Sequence, residues 1–409
     1  MKLVAPDNCE VFMLSVKSMI LSEGKLPAYF AVALVGFILA FLFFPTPKAI
    51  NNYYYIAMFA PAFFAFYVLR DRLELRRPDA ILWGGVFLVC AFSGTLDFIK
   101  PIIYTAMFLL VVSRMIPRDL FRTSLVARGF FWLIVTHVFI SMIFYGLSGN
   151  YIIGGSLAHL LGGVNCIAAS IYLSTCLALA FPFWVEEKRW IEMGAGFILS
   201  IVSITYILQS RSGLVAMLAV VILAFGYAWK IRKLRPHMAV LLLLMVLLMY
   251  FMIGLTPEYI ARADSGRFVI WKGLWTDWQQ CSYLFGCGTD FHQGKTLLLF
   301  ENTTTRGLSF YAHNIYFALA FYSGLLALFL FLGLCFYLLH SAWKNHDPWG
   351  GYLLAAMIGL NFDGGHIISS PRPVWIAILL PMAMIAQSKK VCSNTIKPSC
   401  SAQAEEPHP

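Results

Sequence analysis

The feature that most constrains this chain is a succession of long apolar runs joined by short charged connections. "AYFAVALVGFILAFLFF" near the start and "IYFALAFYSGLLALFLFLGLCFYLL" near the end are two of them. A helix needs roughly 20 apolar residues to cross the hydrocarbon core of a bilayer. Backbone in lipid has no water to bond to, so only helices and closed barrels span it. These runs are continuous rather than alternating, which selects helices over lipid-facing strands. The chain is 60% hydrophobic and 12% charged, against about a quarter charged in soluble domains. The expectation is an all-α polytopic membrane protein. Twelve spans are predicted: 27–44, 53–69, 80–96, 101–112, 129–147, 164–183, 191–208, 213–229, 238–255, 313–339, 349–360 and 373–386.

Charge fixes the sides. Arg70, Arg72, Arg76 and Arg77 follow the second span, Arg114, Arg118, Arg122 and Arg128 the fourth, Lys188 and Arg189 the sixth, and Lys230, Arg232, Lys233 and Arg235 the eighth. Lys344 follows the tenth, and Lys389 and Lys390 the twelfth. Every second loop is basic, so those loops and both termini are expected in the cytoplasm. The net charge of +10 is thereby accounted for by topology, and no nucleic-acid partner is expected. The first 25 residues carry Asp7, Glu10 and Glu23 and read as an amphipathic interfacial segment rather than a cleavable signal peptide. Residues 388–409 read as a cytoplasmic tail.

One connection is long, 256–312, and falls on the opposite, outer side, the periplasm if the membrane is a bacterial inner membrane. Within it Arg267, Trp271, Leu274, Trp275 and Trp278 recur at helical spacing, which predicts a helix lying at the bilayer surface. Cys281 and Cys287 lie in the same loop. They are candidates for a disulfide, with free thiols the alternative. Most of the other cysteines are scattered through apolar runs as small core residues.

The informative charges lie on the side that is otherwise poor in them. Arg211 in "LQSRSGLVAM" sits almost inside the membrane, where an ionised group is functional by default; the plain alternative is a side chain reaching the interface. Arg267 is either part of a site or a loop charge paired with Asp264. Arg372 in "SSPRPVW" is either a site residue or an interfacial anchor. Guanidinium offers a planar fork to phosphate, so arginines on one face suggest an anion site able to hold a pyrophosphate. His313 is on that face, and histidine is the usual proton acceptor near neutral pH; the alternative is a structural residue at a helix start. His366 in "NFDGGHIISS" is the rival base, and Asp363 is placed to orient a histidine or meet an arginine. No DxD pair, phosphate-binding loop or dinucleotide fingerprint is present, so no cofactor and no metal are expected.

These residues resemble the O-antigen ligase family. His313 and Asn314, then "IYFALAFYS", then Gly324, Leu325 and Leu326 follow that family's histidine motif, with Ala327 a departure in its last position. "SRSG" at Arg211 and "GRFVIWKGLW" at Arg267 match its two arginine segments. The resemblance covers about residues 201–386; the N-terminal half matches only in hydropathy. It implies a GT-C-like bundle of about twelve helices with the long periplasmic loop between helices 9 and 10, in a bacterial inner membrane. It further implies transfer of O-antigen from undecaprenyl pyrophosphate to a sugar hydroxyl of lipid A–core, inverting and metal-independent. His313 would be the base, with Arg211 and Arg267 on the pyrophosphate. Arg372 is placed with them, and Asn314, Gly324, Asp363 and His366 as support. The rivals are an O-antigen polymerase using the same donor and a transporter of the lipid-linked glycan.

Overall fold

A computed structural model describes residues 25–69, 77–94, 96–117, 119–152, 155–230, 267–289 and 312–387, with isolated positions 243, 246, 247 and 250. The N-terminal segment, the ninth predicted span, the tail and the rest of the long loop lie outside the described residues. The helices are α1 (Lys25–Phe43), α2 (Pro47–Tyr54, continued by a π-helical turn Tyr55–Phe59 into Ala60–Leu69), α3 (Arg77–Ser93) and α4 (Leu96–Leu110, with the π turn Val111–Met115). There follow α5 (Ser124–Leu147), α6 (Cys166–Glu186), α7 (Trp190–Val202, with the π turn Ser203–Ile207) and α8 (Arg211–Lys230). The last four are α9 (Arg267–Trp278), α10 (Ile315–Lys344), α11 (Trp349–Gly359) and α12 (the π turn Trp375–Leu379, then Leu380–Ala386).

Every predicted span except the ninth thus coincides with a helix. Among the described residues, 6 helices are long and apolar enough to cross a membrane: Lys25–Phe43, Phe98–Met115, Ser124–Leu147, Cys166–Glu186, Trp190–Ile207 and Ile315–Lys344. Shorter apolar helices are Ala80–Ser93, Arg211–Ala224, Trp349–Gly359 and Trp375–Ala386. Phe63, Ile81, Phe92, Ile143 and Phe336 point outward. Large exposed apolar side chains on so many helices are what a lipid-facing surface requires.

The bundle is organised around α6, which packs against α5, α7, α8 and α11 and is 78% buried. Small residues allow this. Ser170, Ser174, Ala178 and Ala180 are all buried, and their lack of bulk lets neighbouring backbones approach closely. At the basic end, Arg122 donates from Nε to Asp347 at 3.0 Å and from Nη1 to Gln387 at 2.8 Å. Gln387 in turn donates to the Val112 carbonyl at 2.8 Å. This clamp ties α4, α5, α10 and α12 together and leaves the other end of the bundle free for the loops described next.

Candidate active site

Asn314 starts α10 in an extended conformation (φ −159°, ψ 114°), and its Oδ1 accepts from the Tyr316 and Phe317 amides at 3.0 and 2.9 Å. It is the helix N-cap, satisfying two amides that have no partner within the helix. His313, one residue earlier, has φ 47°. A non-glycine residue in the left-handed region stores roughly 1–3 kcal/mol of strain and is held there by its surroundings. What holds it is the turn after α11. The Ile315 amide donates to the Leu360 carbonyl at 3.2 Å, and Gly364 (φ 98°) lies where a Cβ would come within 2.4 Å of Ile315 Cγ2. That turn sets Asp363 Oδ1 3.6 Å from His313 Nδ1.

The "SRSG" segment is built for close packing around one arginine. Ser170 Oγ donates to Ser210 Oγ at 2.6 Å, and Ser174 Oγ donates to the Gly213 carbonyl at 3.2 Å. A Cβ on Gly213 would lie 2.3 Å from that of Ser170. Ser212 Oγ reaches the Phe362 carbonyl at 3.5 Å, next to Asp363. Gln209, just before, also has a left-handed φ of 47°. The serines and the glycine dock α8 on α6, which leaves Arg211 at the head of α8 near the Asp363 turn.

Arg267 opens α9. Ile270, Leu274 and Trp278 are buried with Ala318 and Phe321 of α10, and Trp271 Nε1 donates to the Ala312 carbonyl at 2.7 Å. The packing differs from the tryptophan face expected from the sequence. The buried stripe is Ile270, Leu274 and Trp278, and Trp275 is exposed, because the helix packs on α10. Burial lowers the pKa of the Arg267 guanidinium; the Asp363 carboxylate opposes that shift and Arg211 adds to it. Asp363, Arg211 and Arg267 therefore lie within electrostatic reach of one another, with His313 Nδ1 3.6 Å from the same carboxylate.

Gly324 breaks α10 with φ 84° and ψ 169°, a region essentially closed to other residues. The break frees backbone groups, and the loop after α9 takes them up. The Cys287 and Gly288 amides donate to Phe321 and Tyr322 carbonyls at 2.7 and 3.1 Å, and the Leu325 amide donates to Tyr283 at 2.9 Å. A disulfide joins Cys281 and Cys287 across that loop. Contact is so close that a Cβ on Gly324 would stand 2.0 Å from the Leu284 carbonyl oxygen. Ala327 is fully buried one turn on, where its small size suits the core.

His313 and Asp363 open onto a cavity of about 620 Å³ that is also lined by His366, Arg372, Asn165 and Phe44. His366 has both ring nitrogens engaged, Nε2 with Ser323 Oγ at 3.1 Å and Nδ1 with the Ile368 backbone at 3.0 Å. Its ring meets Phe98 and Tyr322 edge-on. Although part of it faces the cavity, dense packing lowers its pKa to about 4, with a small contribution from Arg372. Arg372 is exposed and lines the same cavity. Its backbone is fixed by Tyr172, whose hydroxyl donates to the Pro373 carbonyl at 2.7 Å. The cavity wall from the N-terminal half, Phe41 to Pro47 and Gly162 to Asn165, was not anticipated from the sequence. The "PTP" and "GGVN" turn signals between spans were its trace there. Among the described residues, no three His, Cys, Asp or Glu side chains converge as a metal site requires.

The fold and site define a polytopic membrane protein with a histidine, a carboxylate and arginines gathered at one end of its helix bundle. Residues 195–332 match the family model described as O-antigen ligase, and the resemblance read from the sequence to that family is shown by the match. No curated protein matches the chain. The match includes Arg211, Arg267, His313 and Gly324; Asp363, His366 and Arg372 lie beyond it. The match spans 138 of the 409 residues and supports the resemblance over the part of the chain that carries Arg211, Arg267 and the histidine motif.

Proposed function

We propose that this protein is an O-antigen ligase, joining O-antigen carried on undecaprenyl pyrophosphate to a sugar hydroxyl of lipid A–core. The observation that carries the reading is the His313–Asp363 pair, 3.6 Å apart, beside Arg211 and Arg267. Asp363 holds Nδ1, which leaves His313 Nε2 to take the proton from the acceptor hydroxyl. The hydroxyl oxygen bonds to the anomeric carbon from the face opposite the pyrophosphate, and the bond from that carbon to the phosphate oxygen breaks. The pyrophosphate leaves with one added negative charge, which Arg211 and Arg267 stabilise. The anomeric centre inverts, and the energy comes from the donor, with no cofactor or metal required.

This chemistry fits twelve spans in a bacterial inner membrane, with 256–312 and the site facing the periplasm, both termini cytoplasmic, and 388–409 a cytoplasmic tail. The basic residues at the Arg122 end, opposite the site, support that orientation. The test is a lipopolysaccharide gel of a deletion strain complemented with wild type or His313→Ala. Loss of capped lipopolysaccharide, with long lipid-linked polymer accumulating in both the deletion and the variant, is expected. Core bearing a single repeat would instead make the enzyme a polymerase, and full capping by His313→Ala would remove the base assignment.

A further inference from the structure

Arg267, Arg211 and Asp363 feel one another's charge, and Arg372 lines the 620 Å³ cavity together with His313, Asp363 and His366. The mounting of Arg372 is rigid. It stands between Pro371 and Pro373, its carbonyl accepts from the Trp375 amide at 2.9 Å, and Tyr172 anchors the next residue.

An inverting transfer needs the leaving group and the incoming hydroxyl on opposite faces of the anomeric carbon. The base must touch the incoming hydroxyl, so the acceptor belongs on the side that His313 lines. That side is the cavity. Its walls are mainly apolar, with Phe41, Phe44 and Tyr172 among them, and a few polar groups at fixed positions, the usual construction of a selective ligand site. Phe41 and Tyr172 are buried behind that wall and Phe44 is partly exposed, so Phe44 is the ring on which the apolar C–H face of a sugar can pack. A guanidinium there is selective for an acidic substituent.

Resting on the ligase reading above, we infer that the cavity is the acceptor site and that Arg372 is its specificity residue, recognising a phosphate on the acceptor saccharide. It does not join Arg211 and Arg267 on the donor pyrophosphate.

The experiment measures binding and turnover separately in purified protein in nanodiscs. Binding probes are phosphorylated core oligosaccharide, the same oligosaccharide after phosphatase treatment, and undecaprenyl pyrophosphate. Arg372→Ala is expected to weaken phosphorylated-acceptor binding about tenfold or more, the usual worth of one charge-assisted hydrogen bond, and to leave undecaprenyl pyrophosphate binding within twofold. Phosphatase treatment should weaken wild-type binding by the same factor and Arg372→Ala binding no further, and Arg372→Lys should recover most of the affinity. In turnover, the acceptor KM should rise while kcat at saturating acceptor stays near wild type. Weakened undecaprenyl pyrophosphate binding in Arg372→Ala overturns the inference, as does unchanged acceptor binding or failure of wild type to discriminate the two acceptors. If these binding results hold but the product is a lengthened lipid-linked polymer, the ligase reading fails and Arg372 keeps its role.

Discussion

Replacing Asp363 with Asn tests the catalytic arrangement most directly, because it removes one charge and keeps the shape. His313 Nδ1 and Asp363 Oδ1 are 3.6 Å apart. With an effective dielectric near 20, a full imidazolium–carboxylate pair at that distance is worth about 4–5 kcal/mol. The side chains are 27% and 16% exposed, so solvent screening lowers this to about 3–4 kcal/mol. That stabilisation exists only once His313 has taken the proton, so it acts on the transition state. Its loss should lower kcat roughly 10²–10³-fold. Donor affinity should move the other way or hold, because the carboxylate that competes for Arg267 is gone. The assay is steady-state transfer by protein in nanodiscs, varying donor at saturating acceptor. A kcat within threefold of wild type, or a tenfold higher donor KM with kcat intact, would refute the orienting role and make Asp363 a partner of the arginines alone.

Gly324→Ala should undock the disulfide loop, since a Cβ meets the Leu284 carbonyl and the backbone angles alone add about 1–3 kcal/mol of strain. A melting temperature in detergent equal to wild type would contradict this. Asn314→Ala should lose about 1 kcal/mol of helix capping, and Asn314→Ser should recover most of it in the same melt; equal behaviour of the two variants would remove the cap explanation. His366 binds its proton less readily in the fold than the ordinary imidazole value of about 6.5. The unfolded chain therefore takes up the proton first, and the stability contributed by neutral His366 is complete above pH 6.5. It is lost as pH falls from about 6.5 to about 4, by up to ~3 kcal/mol. Melting across that range should show the loss in wild type and a flatter profile in His366→Gln.

Hydropathy made the helices legible because the bilayer imposes one length and one polarity on each of them. The spacing from His313 to Gly324 was legible too. The structure gives that spacing two local causes, an asparagine cap and a backbone break three turns later. The partner of the histidine was less so. Asp363 and His366 lie three residues apart, 50 and 53 residues beyond His313, and only the Gly364 turn decides that the carboxylate meets His313 while His366 is consumed by Ser323 and Ile368. The stripe on α9 was misjudged because tryptophans dominate its pattern, whereas Ile270 makes the contact with α10. The "PTP" and "GGVN" turns of the N-terminal cavity wall were legible as turns but not as neighbours, since Phe44 and Asn165 share that wall only through the packing of the end of α1 on the loop before α6.

The break at Gly324 also has a mechanical meaning. Above it, the first turns of α10 are tied to α9 through Trp271 and to the disulfide loop through backbone bonds. Below it, α10 packs along α3, where Leu330 lies beside Gly85. The disulfide loop also bonds the Leu325 and Leu326 amides past the break, while the turn after α11 holds His313 at the helix head, so the position of the base depends on α9, α10 and α11 together.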